Sequence, residues 1–268
     1  MPTDASRGVG EPSFLTLQRP SGPMVLEVLD IAGANPAIVL LHEGLGSVSL
    51  WRQFPTILAA ASGRRVFAYS RQGYGASGPA EAPRDVDYLH REAWDWLPAV
   101  LQAVGIEHPV LVGHSDGASI ALIHAARHPV SALAVMAPHV MVEPITLAGI
   151  RAAQTLWRET DFPQRLGRHH RDADSVFWAW QTIWLDPRFA AWDIQDLLPE
   201  ITAPVLAIQG RDDEYGTLDQ LERIATRCAG AADVLALARC GHTPWRDRLD
   251  LVLPAVLALL PQVPSAKA

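Results

Sequence analysis

Short apolar runs recur along the chain, and stretches in which apolar residues repeat with helical spacing separate them. Such runs, bounded by turn residues, are typical of strands that are buried on both faces. They cover residues 37–42, 65–70, 109–114, 132–137, 204–210 and 232–238, and a half-buried strand is predicted at 24–31. Helices are predicted at residues 49–61, 88–104, 118–128, 218–228 and 249–260. The alternation predicts an α/β fold with a mostly parallel central sheet and helices on both faces.

One region interrupts this alternation. Residues 139–198 show no convincing strand, are rich in helix-forming residues and are too long for a loop. Tryptophans are frequent there, at Trp157, Trp178, Trp180, Trp184 and Trp192. We interpret residues 139–198 as a helical cap inserted into a core domain that residues 1–138 and 199–268 form. The alternative is that these helices only pack on the edge of the sheet.

Composition and charge exclude several classes of protein. The formal net charge is −7, and the only basic run is the short one at 165–171, so no nucleic-acid partner is expected. The apolar stretch 249–260 is too short to span a bilayer, and the start of the chain lacks a signal-peptide pattern. Cys228 and Cys240 have neither disulfide nor metal-ligand spacing. We expect a cytoplasmic protein with a small-molecule substrate, no cofactor, no metal and no membrane partner; the sequence does not indicate its oligomeric state.

The candidate nucleophile is Ser115, which has Gly113 and Gly117 two positions to either side. It stands between the predicted strand 109–114 and the predicted helix 118–128. This is the strand–turn–helix context of a nucleophile elbow, a strained turn in which side chains at the flanking positions would collide. Parallel sheets also place ligand chemistry at the carboxyl ends of their strands. We therefore predict that Ser115 is a nucleophile rather than an ordinary turn serine.

A serine nucleophile needs a base, and His242 is the candidate because it follows the last predicted strand and lies outside any helical run. The loop after strand 204–210 offers Asp212, Asp213 and Glu214 as the acid that orients the base. The alternative is that this loop is only a solvated acidic turn. The other histidines considered are given structural or surface positions: His42 as a hydrogen-bonding residue, His124 and His128 on a helix, and His90, His108, His169 and His170 at the surface.

The sequence resembles the α/β-hydrolase fold superfamily, in particular its serine hydrolases and esterases with a helical lid. The motifs that carry the resemblance are, in chain order, LLHEGLGS, SRQGYGAS, GHSDGAS, QGRDDE and CGHTP. In the family the acid is the third residue after the glycine, which implies Asp213, with Asp212 as second choice. The resemblance also implies an oxyanion hole of backbone amides, from Gly44 or its neighbour Leu45 and from Asp116.

Two positions beside the implied oxyanion hole depart from the family pattern. Glu43 stands where glycine is common, and Asp116 is an unusual neighbour of the nucleophile. Two unpaired carboxylates would oppose the negative charge that the hole must bind. We expect both to be paired in a buried network, with Arg71, His139 or His42 as partners. The alternative is that they recognise a polar or cationic group of the substrate.

The function expected from these residues is that of a carboxylesterase, which hydrolyses an ester through an acyl-enzyme on Ser115. One alternative is carbon–carbon bond hydrolysis of a dioxo acid by the same triad. That reaction usually needs a cation for the substrate carboxylate, and Arg71, Arg165 or Arg168 are candidates. The other alternative is a small-molecule receptor built on the hydrolase fold.

Helical spacing divides the aromatic residues of segment 139–198 between two faces. Trp180 and Trp184, with Phe177 as an optional third member, share one face of a predicted helix, and Trp178 lies on the other. We expect Trp180, Trp184 and His139 to line the substrate pocket. Aromatic walls of this kind favour apolar or aromatic acyl groups.

Overall fold

The computed structural model describes residues 12–81 and 83–261. Residues 1–11, on which the signal-peptide expectation depends, lie outside this part of the chain, as do Ala82 and residues 262–268. Among the described residues, no helix is both long enough and apolar enough to cross a membrane.

A sheet of eight strands forms the centre of the described chain. The strands are β1 (Ser13–Arg19), β2 (Gly22–Ile31), β3 (Ala34–Leu41), β4 (Arg64–Tyr69), β5 (Val110–His114), β6 (Ala132–Met136), β7 (Val205–Gly210) and β8 (Ala232–Leu237). Their spatial order is β1-β2-β4-β3-β5-β6-β7-β8. The pairs β1–β2 and β2–β4 are antiparallel, and every other pair is parallel. The predicted α/β fold with a mostly parallel sheet is therefore confirmed.

Helices flank this sheet. The α-helices of the described residues are α1 (Phe54–Ser62), α2 (Tyr88–Arg91), α3 (Leu97–Ala103), α4 (Asp116–Ala125), α5 (Pro144–Glu159), α6 (Phe162–Leu166), α7 (Ala173–Trp184), α8 (Asp219–Arg227), α9 (Pro244–Asp247) and α10 (Leu249–Leu259). A π-helical turn (Glu92–Trp96) joins α2 to α3, and short 3₁₀ turns occupy Val48–Trp51, Phe189–Ala191 and Gln195–Glu200. Segment 139–198 lies between β6 and β7 in the chain and holds α5, α6 and α7.

The core consists of two clusters, one on each face of the sheet. Along β3, Ile38 and Leu40 belong to the cluster that contains side chains of α1 and α10. Val39 and Leu41 belong to the cluster that contains side chains of α2, α3 and α4. Alternate residues of a strand point to opposite faces. A strand that is covered on both faces must therefore be apolar at every position, which is the pattern seen in the sequence.

The sequence pattern does not predict β1. In this strand only Leu17 is buried, and the other residues are exposed or half-buried. β1 lies at the edge of the sheet and pairs with β2 alone. An edge strand with one neighbour buries little apolar surface, so its sequence carries little of the hydrophobic signal on which the prediction depends.

The connection from β5 to α4 brings backbone segments into unusually close contact. Ser115 adopts φ 53° and ψ −117°, a region that residues with a side chain rarely occupy. A Cβ on Gly113 would collide with the backbone of Gly117 and Ala118, and a Cβ on Gly117 would collide with the carbonyl group of Leu41. The two glycines therefore allow the first turn of α4 to lie against the ends of β5 and β3.

We predict that Gly117→Ala lowers the free energy of unfolding by about 3 kcal/mol, at the upper end of overpacking effects, because the clashing atoms belong to backbone. Denaturant unfolding measures this loss. Gly105→Ala is the matched control, since Gly105 has φ +62° but no atom within 4 Å of an added Cβ. That variant should lose only the strain of the left-handed backbone, about 1 kcal/mol. Equal losses in the two variants would contradict the packing explanation.

Candidate active site

The ends of three strands bring Ser115, His242 and Asp213 into one hydrogen-bonded chain. Ser115 follows β5, Asp213 lies just beyond β7, and His242 lies just beyond β8. His242 Nε2 is 2.9 Å from Ser115 Oγ, and His242 Nδ1 is 2.8 and 2.9 Å from the two carboxylate oxygens of Asp213. In the neutral imidazole, Nδ1 donates to Asp213 and leaves Nε2 to accept the proton of Ser115. Asp212, the second choice for the acid, is exposed.

Two further donors hold the Asp213 carboxylate in place. Gln209 Nε2 donates to Oδ2 and the Tyr215 backbone N–H donates to Oδ1, both at 2.8 Å. Burial opposes the charge of Asp213, but the charge and hydrogen bond of His242 outweigh burial, and the pKa of Asp213 is lowered. Burial likewise opposes the charge of His242, but Asp213 outweighs it and the pKa of His242 is raised. Asp213 therefore stays ionised and stabilises the imidazolium form of His242.

The amides implied for the oxyanion hole have no acceptor within the described chain. The backbone N–H groups of Gly44, Leu45 and Asp116 donate to none of the described residues. Asp116 is the first residue of α4, where N–H groups lack a helical acceptor. Gly44 and Leu45 both line the cavity that contains Ser115. The geometry therefore leaves these amides without a partner among the described residues and does not choose between Gly44 and Leu45.

The carboxylate of Asp116 belongs to a buried network. Its Oδ2 accepts hydrogen bonds from Arg71 Nη2 at 3.3 Å and from Tyr88 Oη at 3.0 Å. Arg71 also donates to the backbone carbonyls of His42 and Glu43, at 3.0 and 3.1 Å. One guanidinium thus joins the loop after β3 to the residue after Ser115. The expectation of a buried pair for Asp116 agrees with this structure, with Arg71 as the partner.

The side chain of Glu43 lies outside this network. Its Oε2 is 3.4 Å from Nδ1 of His114, and 24 % of the side chain is exposed. The expected partners are wrong for Glu43: Arg71 contacts only its backbone carbonyl, and His42 Nδ1 donates to that same carbonyl at 2.7 Å. His42 Nε2 accepts from the Arg71 N–H at 3.1 Å, which agrees with its expected structural role. His139, the remaining candidate, makes no hydrogen bond to Glu43 among the described contacts.

A cavity of about 230 Å³ contains the Ser115 side chain. Most of the lining side chains are apolar, aromatic or histidine. The lining residues are Glu43, Gly44, Leu45, Leu50, His114, Ser115, His139, Thr146, Ile150, Phe162, Leu166, Trp180, Trp184, Tyr215, His242 and Thr243. None of these residues is a lysine or an arginine, so the lining offers no permanent positive charge.

The cavity brings together the three residues predicted to line the pocket, Trp180, Trp184 and His139. Trp178 does not line it. Phe177 does not line it either, and instead stacks on Trp157 with a centroid distance of 4.1 Å. Phe177 and Trp157 therefore pack against each other within segment 139–198.

His139 stands close to the base of the hydrogen-bonded chain. The centroid of its ring is 5.9 Å from that of His242 and 5.1 Å from that of Trp184. Its Nδ1 is buried and has no partner among the described residues. Burial, and next the charge of His242, lower the pKa of His139 to about 3. His139 is therefore neutral near neutral pH and presents a polar but uncharged group to the cavity.

His170, expected at the surface, is buried, so that expectation is wrong. His170 Nδ1 accepts from the Gly75 N–H at 2.9 Å, and Nε2 donates to the Leu45 carbonyl at 2.9 Å. It thereby ties segment 139–198 to the loop that carries Gly44. These partners lie 95 and 125 residues away in the chain, so no local pattern could indicate the contact.

Sequence reasoning misses three further residues of the site. Gln209 holds Asp213, His114 contacts Glu43, and the ring of Tyr215 lies 4.7 Å from that of His242. Gln209 could have been found, because it is a polar residue within an otherwise apolar buried strand and a buried polar side chain needs a hydrogen-bond partner. A histidine that ends a buried strand is the same kind of signal for His114. Nothing in the sequence separates Tyr215 from an ordinary loop tyrosine.

A family model described as the alpha/beta hydrolase fold matches residues 36–177 of the 268. The chain belongs to the α/β hydrolase fold family. The resemblance inferred from the sequence motifs is therefore confirmed.

Two sequence relatives and one solved structure illustrate what this chain is similar to. The 2-hydroxy-6-oxo-6-phenylhexa-2,4-dienoate hydrolase of Burkholderia cepacia is 24% identical over 251 residues, which are 83% of this chain and 86% of that protein. The 2-hydroxymuconate semialdehyde hydrolase of Pseudomonas sp. (strain CF600) is 37% identical over 100 residues, which are 37% of this chain and 34% of that protein. An esterase structure from Exiguobacterium antarcticum matches with a TM-score of 0.72 at 19% identity, covering 92% of this chain and 98% of that one. The comparisons support a hydrolase of this fold.

We predict that kcat/KM falls on the acid side with a midpoint above pH 6.5, the ordinary pKa of histidine. His242 must be neutral to accept a proton, and its raised pKa keeps it protonated to a higher pH. Asp213→Asn removes the charge that raises this pKa, so the midpoint should move to lower pH while the rate falls. Profiles of kcat/KM from about pH 5 to about pH 9 on a neutral aryl ester measure both effects. Asp212→Asn is the control, and an equal shift in that variant would contradict the assignment of the acid.

We predict that Trp180→Ala changes substrate ranking more than stability. Removing this ring from the cavity should reduce the preference for aromatic over acetyl esters by roughly tenfold in kcat/KM. Trp178→Ala, from the same helix but outside the cavity, should leave the ranking unchanged. An ester panel and thermal melts on both variants measure the two effects. If Trp180→Ala unfolds the protein but preserves the ranking, the ring is core rather than pocket wall.

Proposed function

We propose that the protein is a serine hydrolase that cleaves a bond at a carbonyl carbon through an acyl-enzyme on Ser115. The observation that carries this proposal is the unbroken hydrogen-bonded chain from Ser115 Oγ through His242 to Asp213. The chain begins inside the cavity, where a substrate carbonyl could reach the serine oxygen. The members of the chain come from three strand ends and are held by further hydrogen bonds, so their arrangement exists before any substrate binds.

Each residue has one part in the proposed reaction. Ser115 Oγ attacks the carbonyl carbon while His242 Nε2 takes its proton, and Asp213 stabilises the imidazolium that forms. The N–H groups of Asp116 and of Gly44 or Leu45 hold the oxyanion. His242 then gives the proton to the leaving group as its bond to the carbonyl carbon breaks. In the second half His242 deprotonates a water, which attacks the acyl group and releases Ser115 with its proton restored.

We further propose that residues 139–198 act as a cap over a core formed by residues 1–138 and 199–268. The support is that helices of this segment supply much of the cavity wall. These residues are Thr146 and Ile150 from α5, Phe162 and Leu166 from α6, and Trp180 and Trp184 from α7. A substrate on Ser115 would then be enclosed between the core and the cap.

Carbon–carbon bond hydrolysis is the candidate reaction that the relatives support. The substrate in the name of the Burkholderia cepacia relative, a 2-hydroxy-6-oxo-6-phenylhexa-2,4-dienoate, has a ketone and a carboxylate but no ester. Its hydrolysis must break a carbon–carbon bond. The relatives therefore support carbon–carbon bond hydrolysis better than the ester hydrolysis that the sequence led us to expect.

Ester hydrolysis is the second candidate, and the charges around the cavity favour it. The three arginines considered for a substrate carboxylate do not line the cavity. Arg71 is buried with its guanidinium engaged by Asp116 and two backbone carbonyls. Arg165 and Arg168 are exposed, and Arg165 pairs with Asp161. A neutral ester needs no such cation.

We predict that Ser115→Ala lowers kcat by at least about a thousandfold without loss of folding, measured by steady-state kinetics and thermal melts. The double variant Ser115→Ala/His242→Ala should be scarcely slower than either single variant, because the members of a triad act as a unit. A Ser115→Ala protein that keeps more than about a tenth of the activity would contradict the serine mechanism.

The bond that is cleaved is decided by comparing kcat/KM for a neutral aryl ester and for the phenylhexadienoate substrate of the relatives. The charges of the cavity lead us to expect the ester to be faster by at least about tenfold. The opposite ratio would assign carbon–carbon bond hydrolysis. Binding of either compound without turnover would favour a small-molecule receptor built on the hydrolase fold.

A further inference from the structure

Glu43 is the one carboxylate among the residues that line the described cavity. It reaches this place because Gly46 has no side chain: a Cβ on Gly46 would collide with the carboxylate of Glu43. The carboxylate thus folds back beside the loop that carries Gly44 and faces the space that contains Ser115. None of the catalytic steps proposed above uses it.

The protein leaves much of the hydrogen-bonding capacity of this carboxylate unused. Within the described residues its close polar neighbours are its own backbone N–H and Nδ1 of His114. The His114 contact, at 3.4 Å, is longer than a well-formed hydrogen bond. His114 Nε2 already donates to the His242 carbonyl at 2.7 Å, and Trp245 Nε1 approaches His114 Nδ1 at 3.4 Å. The Nδ1 atom of His114 thus stands between Glu43 and Trp245, at 3.4 Å from each.

The carboxylate is ionised in its surroundings. Burial raises the pKa of Glu43, but the hydrogen bond and charge of His114 outweigh burial, and the pKa lies below its ordinary value. No lysine or arginine of the described chain lines the cavity, so the lining group that offsets this negative charge is His114, 3.4 Å from one carboxylate oxygen. Charges in a partly enclosed site interact more strongly than in water. A substrate carboxylate beside Glu43 would therefore be repelled, and a positive charge would be attracted.

We propose that Glu43 is a specificity-determining residue that selects substrates by charge, an inference that rests on the proposed serine hydrolase function. Its carboxylate attracts a cationic nitrogen of the substrate, and it accepts a hydrogen bond where that nitrogen bears an N–H. Acyl compounds that would place a carboxylate beside Glu43 are rejected. The rings of Trp180 and Trp184 line the same cavity, and aromatic faces also attract cations. The substrate class is accordingly a neutral or cationic acyl compound rather than a dicarboxylate.

Two series of esters test this proposal, and each contains a cationic, a neutral and an anionic member. In the first, one acyl group is esterified with choline, with its neutral isostere 3,3-dimethylbutan-1-ol, or with 4-hydroxybutanoate. In the second, the charge is on the acyl side: methyl esters of 4-(trimethylammonio)butanoate, of 5,5-dimethylhexanoate and of glutarate. In at least one series, kcat/KM of the cationic ester should exceed that of the anionic ester by at least about tenfold.

Glu43→Gln should reduce this ratio to within about threefold, since the amide keeps the shape of the side chain but not its charge. The control is Glu214→Gln, which removes an equal charge close to His242. Glu214 is exposed and does not line the cavity. The ratio should therefore survive in Glu214→Gln. A parallel loss for all three charges in Glu43→Gln would overturn the proposal, because Glu43 would then act through His114 as a positioning residue.

The proposal and the proposed function fail in different ways. Turnover that depends on Ser115 but is equal for all three charges in both series overturns charge selection and leaves the serine mechanism intact. If no ester is turned over, the methyl ketones that correspond to the methyl esters of the second series are titrated into Ser115→Ala. Quenching of tryptophan fluorescence then reports their binding. Tighter binding of the cationic ketone, lost in Ser115→Ala/Glu43→Gln, supports charge selection without catalysis. Equal binding of the three charges overturns it.

Discussion

The site depends on the close approach between the first turn of α4 and the ends of β3 and β5. That approach is possible because Gly113 and Gly117 leave room for neighbouring backbone. It holds Ser115 at a positive φ, and the Ser115 N–H donates to the Met136 carbonyl of β6 at 2.9 Å. The Ser115 Oγ atom lies 2.9 Å from Nε2 of His242. Neighbouring parallel strands end at the same edge of the sheet, so short loops after β7 and β8 complete the hydrogen-bonded chain.

Charge balance around the oxyanion donors is the second organising constraint. Asp116 carries a negative charge next to an amide that would bind an oxyanion, but Arg71 and Tyr88 engage it from the buried side. The same guanidinium holds two carbonyls of the loop after β3, so it joins both segments of the proposed oxyanion hole while neutralising one carboxylate. The Glu43 carboxylate has no guanidinium partner among the described residues; the side chain it meets is that of His114, at 3.4 Å, and it lines the cavity. The two departures from the family pattern thus have different consequences, one structural and one facing the substrate.

The sequence predicts the parts of the fold and site that depend on local patterns. Strands covered on both faces are apolar throughout, and the turn at Ser115 requires glycine where a side chain would collide with backbone. Both features can be recognised in a short stretch of sequence. The choice of Asp213 comes from the family resemblance, which places the acid three residues after Gly210; the residues alone leave Asp212, Asp213 and Glu214 open. β1 is not predicted because an edge strand buries little. The pairing of Glu43 with His114, and the burial of His170, depend on residues far apart in the chain, and no periodicity encodes which of several polar groups will meet.

The central claim is that Ser115 is a nucleophile activated by His242, and reaction with a serine-directed fluorophosphonate tests it without knowledge of the substrate. The probe forms a covalent bond with an activated serine oxygen and releases fluoride. Intact-protein and peptide mass spectrometry should show one adduct, on the peptide that contains Ser115. The adduct should be absent in Ser115→Ala and should form much more slowly in His242→Ala. An unlabelled wild-type protein, or equal labelling of wild type and Ser115→Ala, would contradict the account.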